Sequence, residues 1–193
     1  MSTPVARVGH VLVFDPVRRK LVLYGGFPET STTFLSDTWE FDIDTRVWQQ
    51  KTTVTNPGPL DLHAAAFCPV LGKVLLFGGR SDTQGTSNQK TWTWDGSTWT
   101  ELQPASRPSA RYGHAVSVDP VRNRIILYGG YGPAILNDTW EWDGSTWTLK
   151  TSASPPGLRA LADLAYDPNR NRIVLWGGTT GIDLPNTTWE WNG

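Results

Sequence analysis

Asp138-Thr139-Trp140-Glu141-Trp142-Asp143-Gly144-Ser145-Thr146-Trp147 alternates bulky aromatic and polar side chains, breaks at Asp-Gly, and resumes with an aromatic. Alternation with period two is the signature of a strand whose faces meet different surroundings. Asp-Gly between two such runs predicts a hairpin. Upstream, Gly113–Asp119 and Arg124–Tyr128 read as two further strands. Asp119-Pro120 is the turn between them, because Pro presets φ and Asp bonds back to the backbone. Gly129-Gly130 stops the second run, and a loop over Tyr131–Asn137 leads to the third. The unit is therefore four antiparallel strands with no helical period.

This unit occurs four times. An aromatic followed by Gly-Gly stands at Tyr24, Phe77, Tyr128 and Trp176, with spacings of 53, 51 and 48 residues. A Thr-Trp pair follows each, with Trp at 39, 92, 140 and 189, and Asp15-Pro16, Cys68-Pro69, Asp119-Pro120 and Asp167-Pro168 precede each. Repetition at such a period changes the meaning of every other motif. Four-stranded units repeated about an axis predict an all-β chain folded as a β-propeller. The repeats run over about 1–50, 51–101, 102–150 and 151–193, forming a single propeller or half-propeller domain.

The unit resembles the kelch repeat, and the resemblance covers residues 1–193. It is carried by Arg7-Val8-Gly9-His10 and Arg111-Tyr112-Gly113-His114, the four aromatic-Gly-Gly stops, and the Trp pairs 39/48, 92/99 and 140/147. The version Thr-Trp-Glu-Trp-Asp-Gly-Ser-Thr-Trp is similar to a style common in bacterial kelch proteins. The resemblance implies that each first strand lines the central axis and each fourth is outermost. Copy two departs at Leu60 and Cys68, and copy four at Ala162, where the others carry His. The chain ends Trp189-Glu190-Trp191-Asn192-Gly193, so the fourth blade is expected to lack its outermost strand. Three arrangements follow: a closed four-bladed monomer, a homodimer completing an eight-bladed ring, or a segment of a longer array.

Composition narrows the function classes. With 17 Lys+Arg against 18 Asp+Glu, the net charge is -1, which gives no footprint for nucleic acid or an anionic membrane. A single cysteine excludes an intrachain disulfide. No signal peptide or membrane-spanning stretch is visible, so a complete chain would be cytoplasmic. The 11 Trp invite a sugar-stacking reading, yet every one falls on a repeat position, which assigns them to packing between blades. His10, His63 and His114 are equivalent and read as hydrogen-bonding members of the first-strand layer rather than metal ligands. Glu40, Glu141 and Glu190 are copies of one position, so they read as partners for a neighbouring blade rather than a divergent catalytic pair. Cys68 reads as inert, and no Gly-x-Ser-x-Gly elbow occurs.

No catalytic, cofactor or metal residues are therefore assigned. A residue repeated in every copy is scaffold, and a residue unique to one copy is free for function. The copies diverge in the loops Phe27–Ser36, Arg80–Gln89, Tyr131–Asn137 and Thr179–Asn186 and in the linkers between copies. Loops on a rigid scaffold carry binding, and aromatics and arginine dominate hot spots. The expected partner-binding residues are Arg7, Phe27, Arg80, Arg111, Tyr112, Tyr131 and Arg159, contacting a protein, peptide or glycan without a cofactor. The resemblance places peptide partners of the family on this same face. Two other readings stand beside it: a self-assembling half-propeller or excised or designed fragment, and a fragment of a kelch-type epimerase, lyase or oxidase.

Overall fold

A computed structural model describes residues 2–29 and 31–193. Seventeen strands and no helix make up these residues. Blade one holds β2 (Val11–Asp15), β3 (Lys20–Tyr24), β5 (Thr38–Asp42) and β6 (Val47–Lys51), with a short ribbon of β1 (Arg7–Val8) and β4 (Phe27–Pro28) at its loop end. Blade two is β7 (Ala64–Cys68), β8 (Lys73–Phe77), β9 (Thr91–Trp94) and β10 (Trp99–Leu102). Blade three is β11 (Ala115–Asp119), β12 (Arg124–Tyr131), β13 (Ile135–Trp142) and β14 (Trp147–Lys150). Blade four has only three strands, β15 (Ala160–Asp167), β16 (Arg172–Thr179) and β17 (Thr188–Trp191). All pairings are antiparallel, and the four blades form a kelch-type β-propeller arrangement.

The turn chemistry is as the sequence predicts. Asp15 Oδ1 accepts the amides of Val17 and Arg18, and Asp119 and Asp167 repeat this. At the Gly-Gly stops a side chain is sterically forbidden. A Cβ on Gly25 would stand 2.7 Å from the Leu60 carbonyl, and one on Gly26 2.7 Å from that of Val8.

The first strands β2, β7, β11 and β15 line one axial channel. At its mouth a backbone chain steps from blade to blade. The amide of Leu62 donates to Gly9 O (2.9 Å), Gly113 to Leu62 O (2.8 Å) and Leu161 to Gly113 O (2.7 Å). All four residues hold positive φ, and at Leu62 and Leu161 this costs backbone strain that glycine avoids in blades one and three.

The cores lie between blades rather than within them, two large ones and a smaller third in which Tyr128 of blade three packs with Ala162 and Leu175 of blade four. Val22 and Tyr24 of blade one pack with Val74, Leu76, Trp92, Trp94 and Trp99 of blade two. Cys68, Leu75 and Phe77 pack with Ile125, Leu127, Trp142 and Trp147 of blade three. Trp94, Trp99, Trp142 and Trp147 are fully buried and Trp39 and Trp92 nearly so, so packing explains most of the tryptophans. Trp176 is the exception. Its counterparts Tyr24, Phe77 and Tyr128 are buried beneath the next blade, whereas Trp176 is 59% exposed on the forward face of blade four. The rear face of blade one is likewise open, with Leu12 and Phe14 49% and 44% exposed.

The histidines depart from expectation. His63 and His114 are buried, but their ring nitrogens have no hydrogen-bond partner among the described residues. Each ring instead stands edge-on to the aromatic of the preceding blade, His63 against Tyr24 (5.7 Å) and His114 against Phe77 (5.6 Å). They serve as aromatic packing pieces. Burial pushes both imidazoles down to about 3.

Candidate functional site

The face carrying the second-to-third-strand loops is built by one recurring pairing. In each blade the residue entering the first strand pairs with the residue after Gly-Gly: Val8 with Phe27, Asp61 with Arg80, Tyr112 with Tyr131, and Ala160 with Thr179. The backbone geometry is repeated while the side chains differ in kind. By the logic of repeats, this is where the scaffold leaves chemistry free.

Three of these pairs join into one ladder. The Phe27 ring meets Phe34 edge-to-face at 5.5 Å. The Arg80 guanidinium lies 5.3 Å from the Phe34 ring centre and 5.5 Å from that of Tyr112, bridging blades one and three. Tyr112 in turn stacks on Tyr131 at 5.2 Å with 26° between planes. Asp61, buried beneath, accepts from Arg80 Nε (2.9 Å) and Nη2 (2.6 Å) and fixes the guanidinium in place. Phe27, Arg80, Tyr112 and Tyr131 are all half-buried, which suits rigid contact surfaces.

The structure thus brings together four of the seven residues singled out from the sequence. The other three are corrected. Arg7, Arg111 and Arg159 turn inward and spend their donors inside their own blades. Arg111 is 0% exposed: Nη1 donates to Gly129 O (3.0 Å) and Asp138 Oδ1 (2.6 Å), and Nη2 to Asp138 Oδ2 (2.7 Å). Arg7 makes the same clasp to Gly25 O (2.9 Å) and Asp37 (2.6 and 2.9 Å). Arg159 holds Gly177 O (3.0 Å) and Thr187 Oγ1 (2.8 Å). These arginines tie the linker to the loop after Gly-Gly. Burial pushes the Asp138 carboxyl up, but hydrogen bonds from Arg111 and Trp140 outweigh it and hold it below the usual carboxylate range.

Two residues of the site escaped sequence reasoning. Phe34 lies mid-loop with no repeat partner to mark it, and Asp61 carries its signal only through its pairing with Arg80. Thr30, inside the first of the divergent loops, lies outside the described residues. Burial pushes the Cys68 thiol up, consistent with an unreactive side chain.

Comparison with known proteins agrees with this architecture. The family model described as the KLHDC2/KLHL20/DRC7 Kelch-repeats domain matches residues 1–148, and the chain belongs to this kelch-repeat family. It is also similar to Mei4-dependent protein 6 of Schizosaccharomyces pombe (strain 972 / ATCC 24843), 28% identical over 136 residues. That match covers 64% of this chain and 19% of the relative's length. Kelch domains are in general protein-interaction scaffolds.

Proposed function

We propose that this domain binds an extended peptide segment of a protein partner across the rim formed by Phe27, Arg80, Tyr112 and Tyr131. One observation carries the reading: a backbone pairing repeated in every blade bears different chemistry in each, and three of the four pairs merge into a continuous aromatic and guanidinium ladder. Stacked tyrosines and a braced guanidinium offer flat apolar contact and fixed donors at small entropic cost. They suit a segment with a carboxylate beside planar or apolar side chains. Peptides selected from a random library on the immobilised domain should bind Tyr131→Ala and Arg80→Ala at least tenfold more weakly. Equal affinity for wild type and both variants would reject this rim, and competition by an oligosaccharide would favour a glycan instead.

A second reading is self-association into a larger ring, favoured by the open apolar faces at the two ends of the arc. Trp176 on the forward face of blade four lacks the cover that Tyr24 and Phe77 receive, and Leu12 and Phe14 lie bare on the rear face of blade one. The two faces are of the kinds that meet at every internal blade boundary. A solution mass that stays at one chain, 21.4 kDa, at high concentration would reject it.

A further inference from the structure

Blade four breaks a pairing that the other three blades keep. In blades one and three the arginine entering the first strand is clasped by the Asp just before the Thr-Trp pair, Arg7 by Asp37 and Arg111 by Asp138. In blade two both partners have changed together, to Leu60 and Lys90. Blade four keeps Arg159, 4% exposed, but carries Thr187 where the acid stands. Its buried guanidinium has no carboxylate partner among the described residues.

The deficit shows in the N–H groups, of which a guanidinium has five. Arg111 commits all of them. Nε donates to Ser109 O (3.0 Å), Nη1 to Gly129 O (3.0 Å) and Asp138 Oδ1 (2.6 Å), and Nη2 to Ser109 Oγ (2.9 Å) and Asp138 Oδ2 (2.7 Å). Arg159 commits three, Nη1 to Gly177 O (3.0 Å) and Nη2 to Pro156 O (3.3 Å) and Thr187 Oγ1 (2.8 Å). Its Nε is buried without a partner among the described residues, and one N–H of Nη1 is left over. Thr187 Oγ1 also accepts from the Trp189 indole (3.1 Å), just as Asp138 Oδ2 accepts from the Trp140 indole (2.7 Å). The hydroxyl thus takes the part of Oδ2. Among the described residues, none takes the part of Oδ1 or supplies its negative charge.

We infer that Arg159 and Thr187 form a binding site for a small monovalent anion, of the size of chloride or formate, whose acceptor atom takes the part that Asp138 Oδ1 plays in blade three. Charge favours it, because a buried cation without a counter-charge is costly and an anion beside it is attracted strongly at low dielectric. The backbone offers a second donor. The carboxyls of Asp37 and Asp138 are each held low in part by their own backbone N–H, and the Thr187 amide has the same position in blade four. Solvent also reaches this place. The side chains of Asp37 and Asp138 are 20% and 24% exposed although a blade follows each of them, so the way in does not depend on what lies beyond blade four. None of these residues belongs to the rim of Phe27, Arg80, Tyr112 and Tyr131, and the site stands without that rim.

Thermal unfolding of the 193-residue protein in sodium chloride, sodium formate and sodium methanesulfonate at equal ionic strength tests the site. At about 0.3 M, chloride or formate should raise the wild-type midpoint above that in the bulkier methanesulfonate by about 3 °C or more. Thr187→Asp supplies the carboxylate from within the chain. It should raise the midpoint in methanesulfonate and lose the gain from the two small anions. General salt effects act on both proteins alike, so the difference between them belongs to the site. Chlorine NMR gives the direct reading: the wild-type protein should broaden the chloride line, and formate should reverse the broadening. Equal wild-type midpoints in the three salts, or the same gain in Thr187→Asp, would overturn the proposal. Should the Asp variant fold poorly, chloride broadening that is missing, or that formate leaves unchanged, overturns it on the unaltered protein.

Discussion

The indole N–H of Trp94 donates to Oε1 of Glu40 across the boundary between blades one and two, at 2.8 Å. Trp191 makes the same bond to Glu141 (3.3 Å) between blades three and four. Between blades two and three the acceptor is missing, because Thr93 stands where the others have Glu, and the Trp142 N–H is buried without a partner. The exchange is not isolated. Blade one sets Asp15, Arg18, Glu40 and Lys51 in one charged cluster, and the equivalent places in blade two hold Cys68, Leu71, Thr93 and Leu102. Blade two has replaced the whole cluster with an apolar one, and Leu71 and Leu102 pack on the core beside it.

Restoring one member alone is therefore expected to destabilise. Thr93→Glu places a carboxylate among Leu71, Leu102 and Cys68, where an uncompensated charge costs about 3 kcal/mol even though it offers Trp142 an acceptor. Adding Cys68→Asp, Leu71→Arg and Leu102→Lys should recover at least about half of that, a strongly non-additive result. Urea denaturation midpoints of the single and fourfold variants test it; additive losses would show that the four positions do not act as a unit.

Arg111 offers the next test. Its clasp joins Asp138 and the Gly129 carbonyl with no exposed surface. Arg111→Ala strands the half-buried Asp138 carboxylate and leaves the Gly129 carbonyl without its donor, and should cost about 3 kcal/mol. Arg111→Lys should recover less than half, since an ammonium lacks the planar fork that spans both carboxylate oxygens. Thermal or urea unfolding reads both, and a wild-type midpoint for the Lys variant would argue against the fork.

The blade plan was legible because strand period, Asp-Pro turns and Gly-Gly stops are local features repeated four times. The inward turn of Arg7, Arg111 and Arg159 was also within reach. They recur at one position in three copies, and the rule that repetition marks scaffold applies to them as it does to the tryptophans. Blade two confirms the coupling: where Arg gives way to Leu60, the matching Asp gives way to Lys90, which lies over Trp92 instead. The ladder was legible only in part. Phe34 meets Arg80 through the distance between two loops, and nothing local in the sequence encodes that distance.

Acid should weaken the fold earlier than its carboxylates alone would allow. Folded His63 and His114 are held down at about 3 by burial, whereas an unfolded His titrates near about 6.5. Between these limits this pair binds two more protons in the unfolded chain than in the folded one, and His10, lowered by burial and by the charge of Arg7, adds in the same direction. Stability is thus full above the unfolded pKa and is lost as pH falls below it, by up to about 2.7 kcal/mol per pH unit for the pair. Asp37 and Asp138, held low in the folded state, add losses in the same direction only at lower pH. Urea midpoints should fall steadily from pH 6.5 to 4.5. The double variant His63→Ala, His114→Ala, which copies the Ala162 of blade four, should start lower at pH 7 and change much less across that window, with His10 alone still contributing.

Trp176 tests the exposed end of the arc. Tyr24 and Phe77 each lie under a histidine and a tryptophan of the following blade, and Trp176 has the same place in the sheet with no following blade above it. On a single chain, Trp176→Ser should shift stability by no more than about 0.5 kcal/mol, as expected for an exposed position. If two copies close a ring, Trp176 of one copy takes cover from His10 and Trp48 of the other. Burying such a ring contributes about 2 to 3 kcal/mol, and a symmetric ring has two of these contacts. The substitution should then abolish a doubled mass in sedimentation while leaving the urea midpoint at low concentration unchanged. A doubled mass that survives Trp176→Ser would place the contact elsewhere, and a large loss of stability in the single chain would mean that Trp176 is already supporting blade four from within.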